Sequence, residues 1–284
     1  MRFNIVVGNP PYNKGMDLDF VGLGYRLSNS YTVMITPAKW QTAEAHQCVV
    51  SKNMTYDKFR QEIVPHISSI VFYPDSQDVF SIRQIDGICY FLLDKQYHNT
   101  TKVKNICKLQ KHWNSEETRS ILGRNPLLNC GYNLVKYMSQ YLVFKLSTID
   151  KSKRYQVWTN SQISSAGGRL LTKEVGNGLF IGVSRIIDST DDVDMITRSE
   201  ASTCSFSSNS RHECECFVSW LNTKFVRFFI AINISKLNGI ICGNCFRFVP
   251  APPTDKFDHI YTDDELYKAF NIPQKIYRYN RSSC

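Results

Sequence analysis

Long hydrophobic runs are missing from this sequence, although 43% of its 284 residues are hydrophobic. No stretch approaches the ~20 apolar residues that a transmembrane helix needs. The first residues also lack an apolar run followed by a cleavage site of small residues, so the sequence predicts no signal peptide. Internal repeats and low-complexity tracts are absent as well. We therefore expect a globular, cytoplasmic protein with enough chain for one large domain or two smaller ones.

Acidic residues are fewer than basic ones. The chain has 25 Asp and Glu residues against 34 Lys and Arg residues, which gives a formal net charge of +9 at pH 7. An excess of positive charge favours a polyanionic partner, and nucleic acid is the first to consider. The charge balance alone is weak evidence, because many basic proteins bind no nucleic acid.

Cysteine is plentiful, with ten residues in the chain. Without a secretion signal, most of them are interpreted as reduced core residues. A zinc site is the alternative, because the Cys-x-x-Cys spacing of Cys242 and Cys245 can chelate zinc together with Cys214 and Cys216. The second pair, however, runs into a helical pattern in which Cys-x-Cys side chains diverge. Ordinary thiols are therefore the favoured interpretation.

Strand patterns alternate with helical patterns through the first hundred residues, which predicts an α/β sheet. Near residue 110 the pattern becomes less regular, and we place a domain boundary there, between 1–110 and 111–284. A capping-box signature at Thr262 to Glu265 predicts a short helix after it. Strands are predicted over 4–7, 31–37, 67–75 and 87–95, and helices over 16–28 and 56–64.

The most informative pattern is IVVGNPPYN at residues 5–13. A short apolar strand ends abruptly at two prolines, which cannot continue a regular element and which restrict the residue before each of them. The strand is thus followed by a stiff loop that carries an amide, free carbonyl groups and an aromatic ring. A proline-stiffened turn after an edge strand, with no chemical role, is the alternative.

Asn-Pro-Pro-Tyr after an apolar strand resembles motif IV of the amino-methyltransferases, which transfer a methyl group from S-adenosylmethionine to nitrogen. An aromatic amine is a poor nucleophile, because its lone pair is delocalised into the ring. Two acceptors on its two N–H groups hold it and favour a pyramidal nitrogen. The resemblance assigns these acceptors to the side chain of Asn9 and the main-chain carbonyl of Pro10. The Pro-Cys pair that methylation of the cytosine ring requires occurs nowhere in the sequence.

Further segments in the same order resemble the adenine-N6 DNA methyltransferases of type II restriction–modification systems. This resemblance implies a partial Rossmann-like methyltransferase sheet in residues 1–110, followed by a mixed α+β target-recognition domain in 111–284. The partner implied is double-stranded DNA. The middle of the chain, about 110 to 210, is not covered. The segments are TPAKW (36–40), DVFSIRQIDGICYFLLDK (78–95), SWLNTKFVRFFIAI (219–232), FRFVPAPP (246–253) and TDDELYKAF (262–270).

The resemblance also implies how a flipped adenine is bound. Tyr12 would stack on the base, with Pro11 in the same substrate-binding loop, and Phe80 is the candidate for a second aromatic contact. Extrusion of the base costs a few kcal/mol, which stacking offsets in part. For Phe80, simple core packing is the alternative. Basic residues in two clusters are candidates for contact with the DNA backbone, with a solvated surface as the alternative: Lys102, Lys104, Lys108, Lys111, Lys151, Lys153 and Arg154.

The cofactor-binding half of this family is not recognisable in the sequence. It should precede the strand of the motif, yet seven residues precede Gly8. FVGLG at residues 20–24 fits F-x-G-x-G, but a lone match is weak and this one lies within a helical pattern. Three explanations stay open: a fragment of a longer reading frame, a second chain that supplies the S-adenosylmethionine site, or a degenerate remnant.

Two other functions are weighed against a catalytic DNA methyltransferase component. One is a non-catalytic DNA-binding specificity module. The other is methylation of a protein glutamine amide, which poses the same chemical problem for the nitrogen. Those glutamine methyltransferases end soon after their sheet, whereas about 175 residues follow the predicted boundary in this chain. The excess of basic residues also favours DNA.

Overall fold

The computed structural model describes most of the chain and divides it into two compact units, Met1–Tyr132 and Asn133–Cys284. No helix in the described parts is long and apolar enough to cross a membrane. The described residues are 2–13, 15–42, 53–81, 87–108, 111–146, 150, 152–160, 184–190, 202–233 and 246–274.

The first unit is built on a six-stranded mixed sheet with the order β1-β2-β4-β3-β5-β6. β1 is parallel to β2 and β3 is parallel to β5, whereas the other neighbours are antiparallel. This arrangement confirms the predicted α/β class, and a Rossmann-like origin stays a prediction. The strands are β1 (Phe3–Gly8), β2 (Ser28–Pro37), β3 (Ile67–Tyr73), β4 (Ile88–Asp94), β5 (Thr101–Asn105) and β6 (Ser115–Arg119).

Two helices accompany this sheet, α1 (Met16–Leu27) and α2 (Tyr56–Glu62). α1 connects the parallel strands β1 and β2. It packs closely on both, because a Cβ atom on Gly24 would lie 2.5 Å from Met34 Cε and 3.3 Å from Val6 Cγ1. Both helices were predicted.

One face of the sheet carries the core of the first unit. Trp40, Phe59 and Phe91 are fully buried and contact one another, with ring centroids 5.4 to 6.4 Å apart. Side chains alternate between the two faces of a strand, so Phe91 points to this core while Tyr90 points to the other face. Tyr90 is exposed. Within the first unit, burial is therefore concentrated on one side of the sheet.

The second unit contains a three-stranded antiparallel sheet with the order β8-β7-β9. Aromatic rings form its core, where Phe217 stacks on Phe206 with centroids 4.8 Å apart and also contacts Phe257. The Thr262 side chain accepts a hydrogen bond from the Glu265 backbone N–H, which confirms the predicted capped helix. The strands are β7 (Tyr155–Asn160), β8 (Ser184–Asp188) and β9 (Ser202–Ser208), and the helices are α4 (Arg211–Leu221), α5 (Lys224–Asn233) and α6 (Asp263–Ala269).

The first compact unit extends past residue 110, because β6 pairs with β5 and the connection continues into α3 (Asn129–Met138). The Arg119 guanidinium fixes this connection. It donates to the Asn129 side chain at 3.1 Å and to the carbonyl oxygen of Pro126 at 3.0 Å. The division into a catalytic part and a target-recognition part stays a prediction.

Candidate functional site

The carboxyl ends of four strands lie at one end of the six-stranded sheet. β1 and β2 are parallel, so Gly8 and Pro37 end on the same side. β4 begins there, because Ile88 pairs with Pro37 on one side and with Tyr73 at the end of β3 on the other. β5 is parallel to β3 and ends there too. Open α/β sheets bind ligands outside the carboxyl ends of their strands, so this end is the candidate site.

The NPPY loop, Asn9 to Tyr12, follows β1 at this end. Pro10 is buried and Tyr12 is half-buried, whereas Asn9 and Pro11 are exposed. The Tyr12 hydroxyl donates a hydrogen bond to Asn9 Oδ1 at 2.7 Å. This bond orients the amide and leaves the second lone pair of Oδ1 free to accept another donor. The exposed amide oxygen is thus held at the end of the strand by the ring of Tyr12.

A buried carboxyl group lies near Tyr12 of this loop, and the sequence pattern did not single it out. Asp17, in the first turn of α1, is only 8% exposed. Burial raises the pKa of Asp17 to about 6, and the nearby positive charge of Lys39 opposes the shift. In the sequence, Asp17 shows only as an acidic residue in the first turn of a predicted helix. Acidic residues are common at that position, so the pattern does not single out Asp17.

Tyr12 lies close to this carboxyl group and to a buried thiol. Burial raises the pKa of the Tyr12 hydroxyl to about 12, and the neighbouring Cys89 and Asp17 add to the shift. Burial likewise raises the pKa of the Cys89 thiol to about 12. The ring of Tyr12 is therefore a neutral donor at physiological pH, and Cys89 is a protonated thiol. Neither group is suited to act as a nucleophile there.

Phe80 lies on the loop that follows β3, at the same end of the sheet as the NPPY loop. It is half-buried, and its N–H donates to the Ser76 carbonyl oxygen at 2.9 Å. The Lys108 N–H donates to Asp78 Oδ2 at 2.8 Å, so this predicted DNA contact is attached to the Phe80 loop. Topology thus places Phe80 and Lys108 at the candidate site. Their roles stay predictions.

Three of the other predicted DNA contacts lie on β5 or just after it, in the first unit. Lys102 and Lys104 lie on the exposed side of β5, where Glu116 pairs with Lys102 at 2.7 Å and with Lys104 at 3.9 Å. These contacts lower the pKa of Glu116. Lys111 is exposed in a short 3₁₀ helix after β5.

In the second unit, Arg154 pairs with Asp188 at 3.0 Å, so its charge is partly neutralised. The half-buried Lys153 precedes it. Lys151 lies outside the described residues. The predicted contacts belong to two units, and their role in DNA binding stays a prediction.

The zinc alternative rests partly on Cys242 and Cys245, which lie outside the described residues. Cys214 and Cys216 are buried in α4, and Cys216 Sγ lies 3.6 Å from His212 Nε2. Among the residues that the structure describes, no group of three or more His, Cys, Asp or Glu side chains is placed to hold a metal ion.

The F-x-G-x-G match does not fit a cofactor site. Residues 20–24 lie inside α1, and both glycines serve close packing. A Cβ on Gly22 would lie 2.8 Å from Met54 Cε, and Gly24 faces Met34. A phosphate- or ribose-binding turn needs exposed backbone after a strand, which these residues do not provide. Among the residues that the structure describes, the candidate site thus holds groups suited to an amine, and residues 20–24 add no turn for S-adenosylmethionine.

No protein-family model matches the chain. A curated protein of Mycoplasma pneumoniae, named as an uncharacterized adenine-specific methylase, is 32% identical over 133 residues. The similar segment covers 42% of this chain and 30% of the relative, so the chain spans less than a third of that protein's length. This partial similarity supports a methyltransferase kind for the chain, in agreement with the motif of the NPPY loop.

Proposed function

We propose that the chain is the adenine-binding, target-recognising component of a site-specific DNA adenine-N6 methyltransferase of a restriction–modification system. One observation carries the proposal. The NPPY loop lies at the carboxyl end of β1, with the Asn9 amide exposed and oriented by Tyr12 at 2.7 Å. The similarity to an adenine-specific methylase supports the substrate, and the net charge of +9 supports a DNA partner.

The chain's own residues act on the target amine. Asn9 Oδ1 and the Pro10 carbonyl oxygen accept its two N–H groups, which holds the nitrogen with its lone pair free. The Tyr12 ring stacks on the flipped adenine, with Phe80 as the second aromatic contact and Pro11 as part of the pocket wall. Such stacking contributes about 1–3 kcal/mol per base, comparable to the cost of extruding it. S-adenosylmethionine supplies the methyl group.

The test is methyl transfer to DNA with two asparagine variants of one loop. The protein is purified as it occurs in its cells, and unmethylated genomic DNA is the acceptor, so that no recognition sequence has to be assumed. N6-methyladenine is measured by mass spectrometry after digestion. We expect Asn9→Ala to lower the rate at least about 100-fold, because one of two acceptors on the amine is lost. Asn13→Ala, also exposed and four residues away, is the matched control.

DNA binding separates this proposal from the non-catalytic alternative. Asn9→Ala should leave duplex binding nearly unchanged, because the phosphate backbone dominates affinity. Wild-type protein that binds DNA and forms no N6-methyladenine under any condition supports the specificity module or the remnant. Methylation that is equal in the Asn9→Ala and Asn13→Ala variants would refute the role of the NPPY loop.

A further inference from the structure

Asp17 lies at the candidate site but takes no part in binding the amine. The chain passes from the NPPY loop directly into α1, and the Met16 N–H donates to the Asn13 carbonyl oxygen at 3.0 Å. Asp17 follows in the first turn of the helix and is 8% exposed. An acidic residue stabilises a helix N-terminus while it faces water. Because burial costs the charged form its hydration, the helix alone does not account for the position of this carboxyl group.

The neighbours of Asp17 come from three elements at the same end of the sheet. Tyr12 belongs to the NPPY loop, Lys39 to the short 3₁₀ helix after β2, and Cys89 to β4. The charge of Asp17 acts on Tyr12 and on Cys89, and the charge of Lys39 acts on Asp17. Asp19, on α1 itself, is the other charged neighbour. The carboxyl group is therefore part of the surroundings of the Tyr12 ring.

The charged form of Asp17 is held in place by the helix. Burial raises the pKa of Asp17 to about 6, and hydrogen bonds from the backbone N–H groups of Asp17 and Leu18 oppose this shift. The group is thus mostly ionised above about pH 7 and mostly neutral below about pH 5. A negative charge of fixed orientation lies behind the loop at physiological pH.

The proposed reaction places positive charge on the target amine. When the amine nitrogen takes up a methyl group from a sulfonium donor, its lone pair becomes the N–C bond and the S–C electron pair stays on sulfur. The nitrogen then carries a positive charge until one N–H proton passes to water. A preorganised charge of opposite sign near this nitrogen stabilises the transition state.

We propose that Asp17 is a positioning residue of the amine site, whose carboxylate favours the positive charge that develops on the amine held by Asn9 and Pro10. This role rests on the proposed function. The carboxylate acts through Tyr12, whose hydroxyl donates to Asn9 Oδ1 at 2.7 Å. A negative charge beside that hydroxyl weakens its donation and leaves the amide oxygen a stronger acceptor for the amine. Asp17 itself does not touch the base.

The first measurement is the pH dependence of methyl transfer. The protein is purified as it occurs in its cells, with unmethylated genomic DNA as the acceptor. The rate at low DNA concentration, which is proportional to kcat/KM, is followed from pH 5 to pH 8. We expect the wild-type rate to rise with pH through about 6 and then to level off. Asp17→Asn should remove this rise and lower the rate at pH 8 at least about 10-fold.

Two controls accompany this measurement. Asp19→Asn removes the same charge two residues further along α1, on the other side of the helix, and should keep the rise with pH. Asp17→Asn removes a buried charge and should therefore stabilise the fold at pH 8, so a lower rate cannot result from unfolding. Urea unfolding of the same samples checks this.

The second measurement needs no methyl transfer. 1-Methyladenosine is a cation whose charge is shared by the exocyclic amine, and adenosine is its neutral counterpart. The dissociation constants of both nucleosides are measured by NMR titration at pH 8. We expect Asp17→Asn to reduce the preference for the cation about 10-fold, the order expected for two charges that are close but not in contact. Asp19→Asn should leave the preference nearly unchanged.

The two measurements separate this inference from the proposed function. A rise with pH that persists in Asp17→Asn, or an unchanged preference for the cation, would overturn the role of Asp17 even where Asn9→Ala abolishes methylation. A reduced preference in a protein that forms no N6-methyladenine would keep the role of Asp17 at an amine pocket and refute the proposed function. Where one measurement gives no signal the other decides, and a protein that neither binds the nucleosides nor methylates DNA overturns both proposals.

Discussion

At the scale of single residues, the candidate site depends on side chains behind the NPPY loop as much as on the loop. Tyr12 orients the Asn9 amide through its hydroxyl, and its ring lies near Asp17 and Cys89. The buried Asp17 carboxyl is an expensive group to keep in a core, because its charged form loses hydration. Perturbed groups of this kind are concentrated at functional sites.

Asp17 should make the stability of the protein depend on pH. Its pKa is raised from 3.8 to about 6, so the folded state binds this proton more tightly than the unfolded chain does. The resulting stabilisation is complete below about pH 3.8 and is lost as the pH rises through about 6. We expect Asp17→Asn to gain up to about 3 kcal/mol relative to wild type between pH 4 and pH 7. Urea unfolding across this range measures it, and a difference that does not vary with pH would contradict the assignment.

Glu116 should restrain two of the predicted DNA contacts. It pairs with Lys102 and Lys104, so Glu116→Gln frees both ammonium groups. We expect tighter duplex binding and a steeper dependence of log K on log salt, by up to about 0.9 per lysine that gains a phosphate contact. Fluorescence anisotropy at several salt concentrations measures the slope.

Glu117→Gln is the control for that experiment. It removes the same charge from the adjacent position of β6, where alternation places the side chain on the other face. Equal effects of the two variants would mean that net charge alone matters and that these lysines are not contacts.

At the scale of elements, β1, α1 and β2 were predictable because apolar periodicity and the two prolines fix them locally. The β5–β6 hairpin was not, since SEETR carries no hydrophobic signal and is a strand only through its pairing with β5. The three-stranded sheet of the second unit was missed for a similar reason. Its strands are far apart in sequence, with Ser-rich β9 beside β7. Pairing partners, rather than local propensity, determine these strands.

A side chain at Gly87, the residue before β4, should lower the stability of the protein. This residue has φ +70°, and a Cβ would lie 2.6 Å from the Tyr73 carbonyl oxygen. Gly123 has φ +88° with open space around it, so Gly123→Ala incurs backbone strain alone. We expect Gly87→Ala to lower the free energy of unfolding by about 1–3 kcal/mol more than Gly123→Ala does. Thermal or urea unfolding measures both variants. Equal losses of unfolding free energy in the two would show that the contact with the Tyr73 carbonyl oxygen relaxes without a free-energy cost.

At the scale of the whole molecule, the motif predicted the loop but not its surroundings. The order of strands brings the loops after β1, β2, β3 and β5 to one end of the sheet, and this order cannot be obtained from a single sequence. Asp17 and Lys39 are therefore identified as neighbours at the site only from the three-dimensional structure. The sequence likewise does not show that β1 lies at an edge of the sheet. An apolar strand gives the same sequence pattern at the edge and in the interior of a sheet.

The measurement that tests the central claim most directly is a map of N6-methyladenine in the genome of the source cells. Wild-type cells are compared with cells whose chain carries Asn9→Ala, by single-molecule sequencing. The account predicts that methylation disappears from one recognition sequence in the variant and persists there in an Asn13→Ala control. An identical methylation pattern in all three strains would contradict the assignment of this chain to DNA adenine methylation.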